Sequence, residues 1–146
     1  MIPFNSPLLI GTEMDHIKKV IESNHFSSGG YFTKKCEDLL ASLTQTNRAF
    51  LTTSCTDALE MAALCLDIEP ENEVILPSFT FVSSANPFVL RNAKIKFVDI
   101  DPLTMNIDPN HLKKAITKKT KAICIVHYAG VSCNMDAIIT IAKEYN

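Results

Sequence analysis

Apolar residues recur along the chain at two spacings, and the alternation between them separates helices from strands. From Thr12 to Asn24, Met14, Ile17, Val20 and Ile21 fall at helical spacing, with Thr12 placed as a cap. His25 to Thr33 (HFSSGGYFT) interrupts that pattern, with Gly29-Gly30 as the breaker. Cys36, Leu39, Leu40 and Leu43 then share one side of a helix predicted over Lys34–Leu43. Thr56–Leu66 (TDALEMAALCL) carries a strong helix pattern. Phe79–Leu90 predicts another helix, kinked or ended early by Asn86-Pro87. Asp108-Pro109 reads as a cap and a first-turn proline for a helix running to Ile116, and Met135–Tyr145 as a last amphipathic helix. Strand patterns stand between them at Ala49–Thr52, Glu73–Leu76, Lys94–Val98 and Lys121–Val126.

Four strands alternating with helices predict an α/β domain with a largely parallel sheet. EVIL (73–76) and KAICIV (121–126) are apolar or nearly so throughout, as strands covered on both faces should be. The 56–66 helix has almost no polar stripe, so it is expected to be buried on more than one side, against a partner subunit or further sequence. The pattern stops on a helix at Asn146, where another strand is expected, so the domain reads as truncated.

Composition narrows the function. The 146 residues are 47% hydrophobic and 21% charged, ordinary globular usage. Fourteen basic residues against 16 acidic ones give a net charge of −2, with no footprint for nucleic acid or an anionic membrane. No apolar run approaches the about 18 residues that span a bilayer. Met1–Gly11 has no basic residue ahead of its apolar patch and does not read as a secretory signal. Five cysteines (36, 55, 65, 124, 133) without a Cys-x-x-Cys fit reduced thiols in the cytoplasm, and the four scattered histidines suggest no metal site. Four glycines (11, 29, 30, 130) exclude a Gly-x-Gly-x-x-Gly or Walker-type phosphate loop.

A phosphate must then be held by another device, and Leu51–Leu66 offers one. A strand enters the Thr-Thr-Ser-Cys-Thr turn and leaves as a helix. That turn puts a helix N-terminus, with unpaired N–H groups, at the carboxyl end of a parallel strand. Ser54, Cys55 and Thr56 are small enough to leave the amides reachable, although Ser54 or Thr56 equally serves as a plain cap. Cys55 also stands where a helix would favour a thiolate, but no histidine adjoins it in sequence. Phe79 and Phe81 follow the next strand on the same rim and suit either stacking on a flat ring or the core. His127-Tyr128 ends the last strand there, with His127 as an acid/base group or as a histidine packed against the ligand or core. Asp99 and Asp101 fit turn duty better than a metal or a ribose. The five lysines from Lys113 to Lys121 read as a solvated helix end and turn.

Taken together, IPFN (2–5), GGYFT (29–33), TTSCTDALEMAAL (52–64), NEVILPSFTFVSSAN (72–86), FVDID (97–101), TMNID (104–108) and VHYAGVSCNMD (126–136) resemble the N-terminal part of the DegT-type sugar aminotransferases. These enzymes use pyridoxal 5′-phosphate (PLP). The resemblance covers essentially the whole chain. It implies the type I aminotransferase large domain, a mostly parallel sheet with helices on both faces, of which residues 1–146 form an incomplete N-terminal portion. By motif, Cys55 and Thr56 fall at the cofactor phosphate and Phe81 at the ring-stacking position. Ser28, Gly29, Tyr31 and His127 fall where a substrate contact is plausible.

The family's aspartate at the pyridine nitrogen and its cofactor-bearing lysine would lie beyond Asn146. The resemblance therefore implies no catalytic residue here, weak or absent PLP binding, and no transamination by these residues alone. It further implies glutamate and a nucleotide-linked 4-keto-6-deoxy sugar as the parent enzyme's substrates. A role in surface polysaccharide synthesis and a homodimer or larger assembly go with them. In the family's sheet the strands at 73–76, 94–98 and 121–126 are neighbours, and the one at 49–52 is separated from them and would stand unpaired. Two other readings remain: a non-catalytic remnant or association module, and a stand-alone nucleotide-binding α/β domain.

Overall fold

Val74, Ile75 and Leu76 are completely buried, and a three-stranded sheet is built around them. The computed structural model describes residues 2–3 and 5–145; Phe4 of the IPFN motif and Asn146 lie outside the described residues. The chain divides into two compact units, Met1–Leu51 and Thr52–Asn146.

The first unit consists of α1 (Glu13–Ser23) and α2 (Tyr31–Thr44), neither of which contains a buried residue. Thr12 does not cap α1 with its side chain. Instead the Glu13 carboxylate accepts the N–H groups of Ile10 and Gly11, at 2.8 and 2.9 Å. Those bonds hold that carboxyl below its usual range. Both helices end on a left-handed residue, Asn24 and Gln45. α2 starts at Tyr31, earlier than the apolar spacing predicts, because Gly30 serves as its N-cap. A Cβ there would stand 2.9 Å from Cδ2 of His25, so the ring packs directly on the glycine.

In the second unit, β1 (Glu73–Pro77) lies between β2 (Lys94–Val98) and β3 (Thr120–Ile123), all parallel, in the order β2-β1-β3. That is the neighbourhood expected for the three later strand patterns. The side-chain alternation of β1 divides the core. Ile75 packs with Val98, Leu112, Cys133, Ile138 and Ile141, under α5 (Pro109–Ala115) and α6 (Met135–Tyr145). Val74 packs with Ala63, Ile68 and Phe88 on the opposite face, under α3 (Cys55–Cys65) and α4 (Asn86–Val89). The fold is thus α/β, with helices on both faces of a parallel sheet. Asp108 caps α5 by accepting the Asn110 N–H at 2.7 Å, and Pro109 opens it.

Three expectations need correction. Residues 49–52 form no strand, because a strand needs a ladder partner and none is present among the described residues. The helix expected over 79–90 is a single 3-10 turn, Val82–Ser84, followed by the four residues of α4. Pro87 has no N–H to continue a helix and is placed instead in the first turn of a new one. β3 is shorter than KAICIV, and residues 122–126 are half-buried, because one edge of β3 has no neighbouring strand among the described residues. Among the described residues α3 buries Ala63 alone, and Met61, Leu64 and the C-cap Leu66 are 43–57% exposed, leaving the apolar sides that the sequence assigns to a partner subunit or further sequence.

Candidate functional site

Because the three strands run parallel, residues 78, 99 and 124 leave them on one rim. Burial pushes the Cys124 thiol above its usual range, and the neighbouring Cys55 adds to the effect. α3 packs against the Val82–Ser84 turn that follows β1, and Cys55 at its start lies within electrostatic reach of Cys124 after β3.

Ser54 is extended (φ −153°, ψ 162°), and its Oγ accepts the Asp57 N–H at 3.1 Å. It is the cap that the spacing allowed. It leaves the N–H groups of Cys55 and Thr56 without a partner among the described residues, since the first turn of a helix has none of its own. Two N–H groups without a partner among the described residues and the positive end of the helix dipole meet there, and Thr56 adds a hydroxyl to the same turn, a donor set that suits a phosphate. Asp57 contributes an opposing charge. Its carboxylate is tied back to the Thr53 hydroxyl, which with Ser54 holds it below the usual carboxylate range.

Phe81 stands extended after β1 and is 74% exposed, so no core contact accounts for it. Phe79 is tilted against Tyr128, with ring centroids 5.0 Å apart, which joins the ends of β1 and β3. Thr80 and Ser84 share a hydrogen bond of 2.7 Å at the base of the same loop. His127 is exposed, and its Nδ1 accepts the Cys133 N–H at 3.0 Å. Asp101 does turn duty, accepting the Leu103 N–H at 2.8 Å.

The predicted residues of the second unit, Cys55, Thr56, Phe81 and His127, thus gather on one rim. Ser28, Gly29 and Tyr31 belong to the first unit. There Gly29 takes φ +79°, the Ser28 carbonyl lies 3.4 Å from His25 Nε2, and Tyr31 is 72% exposed beside Phe32. Sequence reasoning missed Asn106, whose buried amide bonds both Tyr128 and Val131. Its signal was a polar residue within TMNID, next to the apolar Ile107 that joins the core.

Lysines of the second unit occupy the opposite rim. Lys94 begins β2 and pairs with Glu71 at 2.6 Å. Lys96 reaches Glu73 and the Ala115 carbonyl. Lys113, Lys114 and Lys143 sit in the last turns of α5 and α6. Lys118 and Lys119 precede β3, and Lys121 is its second residue. None faces the α3 N-terminus.

The sequence profile of the DegT/DnrJ/EryC1/StrS aminotransferase family matches residues 8–146. The chain belongs to this family. Among DegT/DnrJ/EryC1/StrS relatives, it is 37% identical over 144 residues to the spore coat polysaccharide biosynthesis protein SpsC of Bacillus subtilis (strain 168), covering 99% of this chain and 37% of that protein. It is 36% identical to the GDP-perosamine synthase of Caulobacter vibrioides, covering 97% and 38%. The aminotransferase from Psychrobacter cryohalolentis superimposes with a TM-score of 0.90 at 34% identity, over 99% of this chain and 37% of that one. GDP-4-keto-6-deoxymannose-3-dehydratase, crystallised with a trapped PLP-glutamate geminal diamine, gives 0.89 at 30% identity, over 95% and 37%. The chain thus spans little more than a third of the length of these relatives. PLP is the cofactor of the family, and the α3 N-terminus with Phe81 fits its phosphate and its ring.

Proposed function

We propose that residues 1–146 are the N-terminal portion of the large domain of a PLP-dependent aminotransferase that moves an amino group from glutamate to a nucleotide-linked 4-keto-6-deoxy sugar. The specific reading is a TDP-4-oxo-6-deoxy-D-glucose transaminase of the enterobacterial common antigen type. It would serve surface polysaccharide synthesis in the cytoplasm and assemble as a homodimer or larger. The observation that carries the cofactor part is the pair of unpaired N–H groups at Cys55 and Thr56, on the same rim as the exposed Phe81. The relatives named for perosamine and 4-keto-6-deoxymannose support the sugar-nucleotide class.

When bound, PLP supplies the electron sink that transamination needs. The chain's own contribution is positional. The Cys55 and Thr56 N–H groups would hold the phosphate, and the Phe81 ring would offer the cofactor ring a stacking face. The lysines of Thr52–Asn146 gather at the other rim, and we infer that these residues alone do not transaminate. A second reading, an association module that acts with a complementary polypeptide, is favoured by the uncovered apolar side of α3 and the free edge of β3.

The test has two arms. Titration of the cofactor-free intact enzyme containing this segment with PLP should give saturable binding that pyridoxal, lacking the phosphate, does not match. The intact enzyme containing this segment should convert TDP-4-keto-6-deoxyglucose and glutamate to an amino sugar nucleotide, faster than the GDP-linked analogue. Absence of phosphate-dependent binding would refute the cofactor reading, and a preference for the GDP sugar would refute the specific one.

A further inference from the structure

Asn106 is polar, yet it is 3% exposed. It lies between β2 and α5, where Met105 takes φ +59° and Ile107 pairs back to Ile100 in an isolated antiparallel bridge. Its side-chain amide grips the loop after β3 at two points. Oδ1 accepts the Tyr128 N–H at 2.8 Å, and Nδ2 donates to the Val131 carbonyl at 3.0 Å. Between those points Ala129 and Gly130 both take positive φ (50° and 80°), so the chain reverses within a few residues. An amide is the side chain that offers an acceptor and a donor on one short fork. With both ends used in a buried site, it selects one loop conformation over others, because any other leaves buried polar groups unpaired.

The consequence appears at His127. The loop returns Cys133 so that its N–H donates to His127 Nδ1 at 3.0 Å, while the Cys133 thiol reaches the Val126 carbonyl at 3.1 Å. With Nδ1 committed as an acceptor, the neutral ring carries its proton on Nε2. The ring is exposed, and Nε2 has no partner among the described residues. Beside it stands the Phe79–Tyr128 aromatic pair. A fixed neutral donor next to aromatic faces matches a pyranose, whose oxygens accept hydrogen bonds and whose C–H face packs on a ring. A carboxylate would call for a cation, and the lysines of this unit lie at the other rim.

We propose that His127 binds the hexose of the sugar nucleotide through Nε2–H, beside the Phe79–Tyr128 pair, and that Asn106 is the positioning residue that fixes the 127–133 loop for it. This rests on the sugar-nucleotide reading above and is tested apart from it. The imidazole tautomer is read first, by nitrogen-15 NMR of the intact protein without cofactor. Wild type should show His127 protonated on Nε2 with Nδ1 bare, and Asn106→Ala should show both tautomers. Asn106→Asp, nearly isosteric, keeps an acceptor for Tyr128 but loses the donor to Val131, and gives the same readout if the alanine variant does not fold.

The contact itself is read from equilibrium binding of TDP-glucose and of TDP. His127→Gln places an N–H near the position of Nε2 and should bind TDP-glucose within about threefold of wild type. His127→Asn, whose amide falls near Nδ1, should lose about tenfold for TDP-glucose and nothing for TDP. A wild-type Nδ1–H tautomer, or His127→Asn binding TDP-glucose as tightly as wild type, overturns the inference. Failure of the aminotransferase reading looks different: the intact enzyme containing this segment then binds no PLP, whatever the His127 variants do with TDP-glucose.

Discussion

Replacing Cys55 by proline removes one hydrogen-bond donor from the α3 N-terminus while sparing the helix. Proline is favoured at the first helical position, where the N–H has no intrahelical partner. Ser54 already holds the extended conformation that a residue before proline prefers, at φ −153° and ψ 162°. Folding stability should therefore change by less than about 1 kcal/mol. If the Cys55 N–H holds the cofactor phosphate, its loss removes one charge-assisted hydrogen bond, worth about 1.5–3 kcal/mol. At about 1.4 kcal/mol per decade, PLP affinity falls by roughly 10- to 150-fold. Cys55→Ala is the control, since it removes the thiol beside Cys124 and keeps the N–H; its affinity should match wild type. The assay is absorbance titration of the cofactor-free intact enzyme containing this segment with PLP and, in parallel, with pyridoxal, whose binding neither substitution should alter. A proline variant that folds and binds PLP as tightly as wild type would place the phosphate elsewhere and remove the main support for the site.

Phe81→Ala should leave thermal stability within about 0.5 kcal/mol, because the ring is 74% exposed. It should weaken PLP binding by about 2- to 12-fold, the range of about 0.5–1.5 kcal/mol for an aromatic pair; an unchanged titration would return the ring to a surface role. The Glu73 carboxyl lies below its ordinary range, held chiefly by the Thr117 hydroxyl and then by Lys96. A depressed carboxyl contributes stability above the unfolded-state value, lost as pH falls through the folded one. Melting temperatures taken from pH 7 to pH 3 should accordingly fall less steeply for Glu73→Gln than for wild type. Ile75→Ala empties the centre of the larger core and should cost about 2–5 kcal/mol in urea unfolding, with a smaller value showing that the core collapses around the gap.

Local chemistry was enough to locate most elements. β2 and α6 fall where the spacing puts them, and β1 and α5 within a residue of it, because their apolar periods and caps are short-range signals. Ser54 and Asp108 could be read as caps from their places before helix patterns. The family resemblance likewise lay in contiguous motifs. What the pattern could not determine depends on neighbours far along the chain. Ala49–Thr52 looks like a strand but pairs with nothing among the described residues, since a ladder is a property of two segments. KAICIV is apolar enough for a central strand, yet its burial is set by its place at the end of the order β2-β1-β3. The role of Asn106 arises from hydrogen bonds that reach 22 and 25 residues ahead, to an N–H and a carbonyl on a loop where Gly130 marks a left-handed position locally but Ala129 before it does not. Which residues want to be apolar, capped or turned is written locally. Which of them meet on one rim is decided by the parallel sheet that brings the strand ends together.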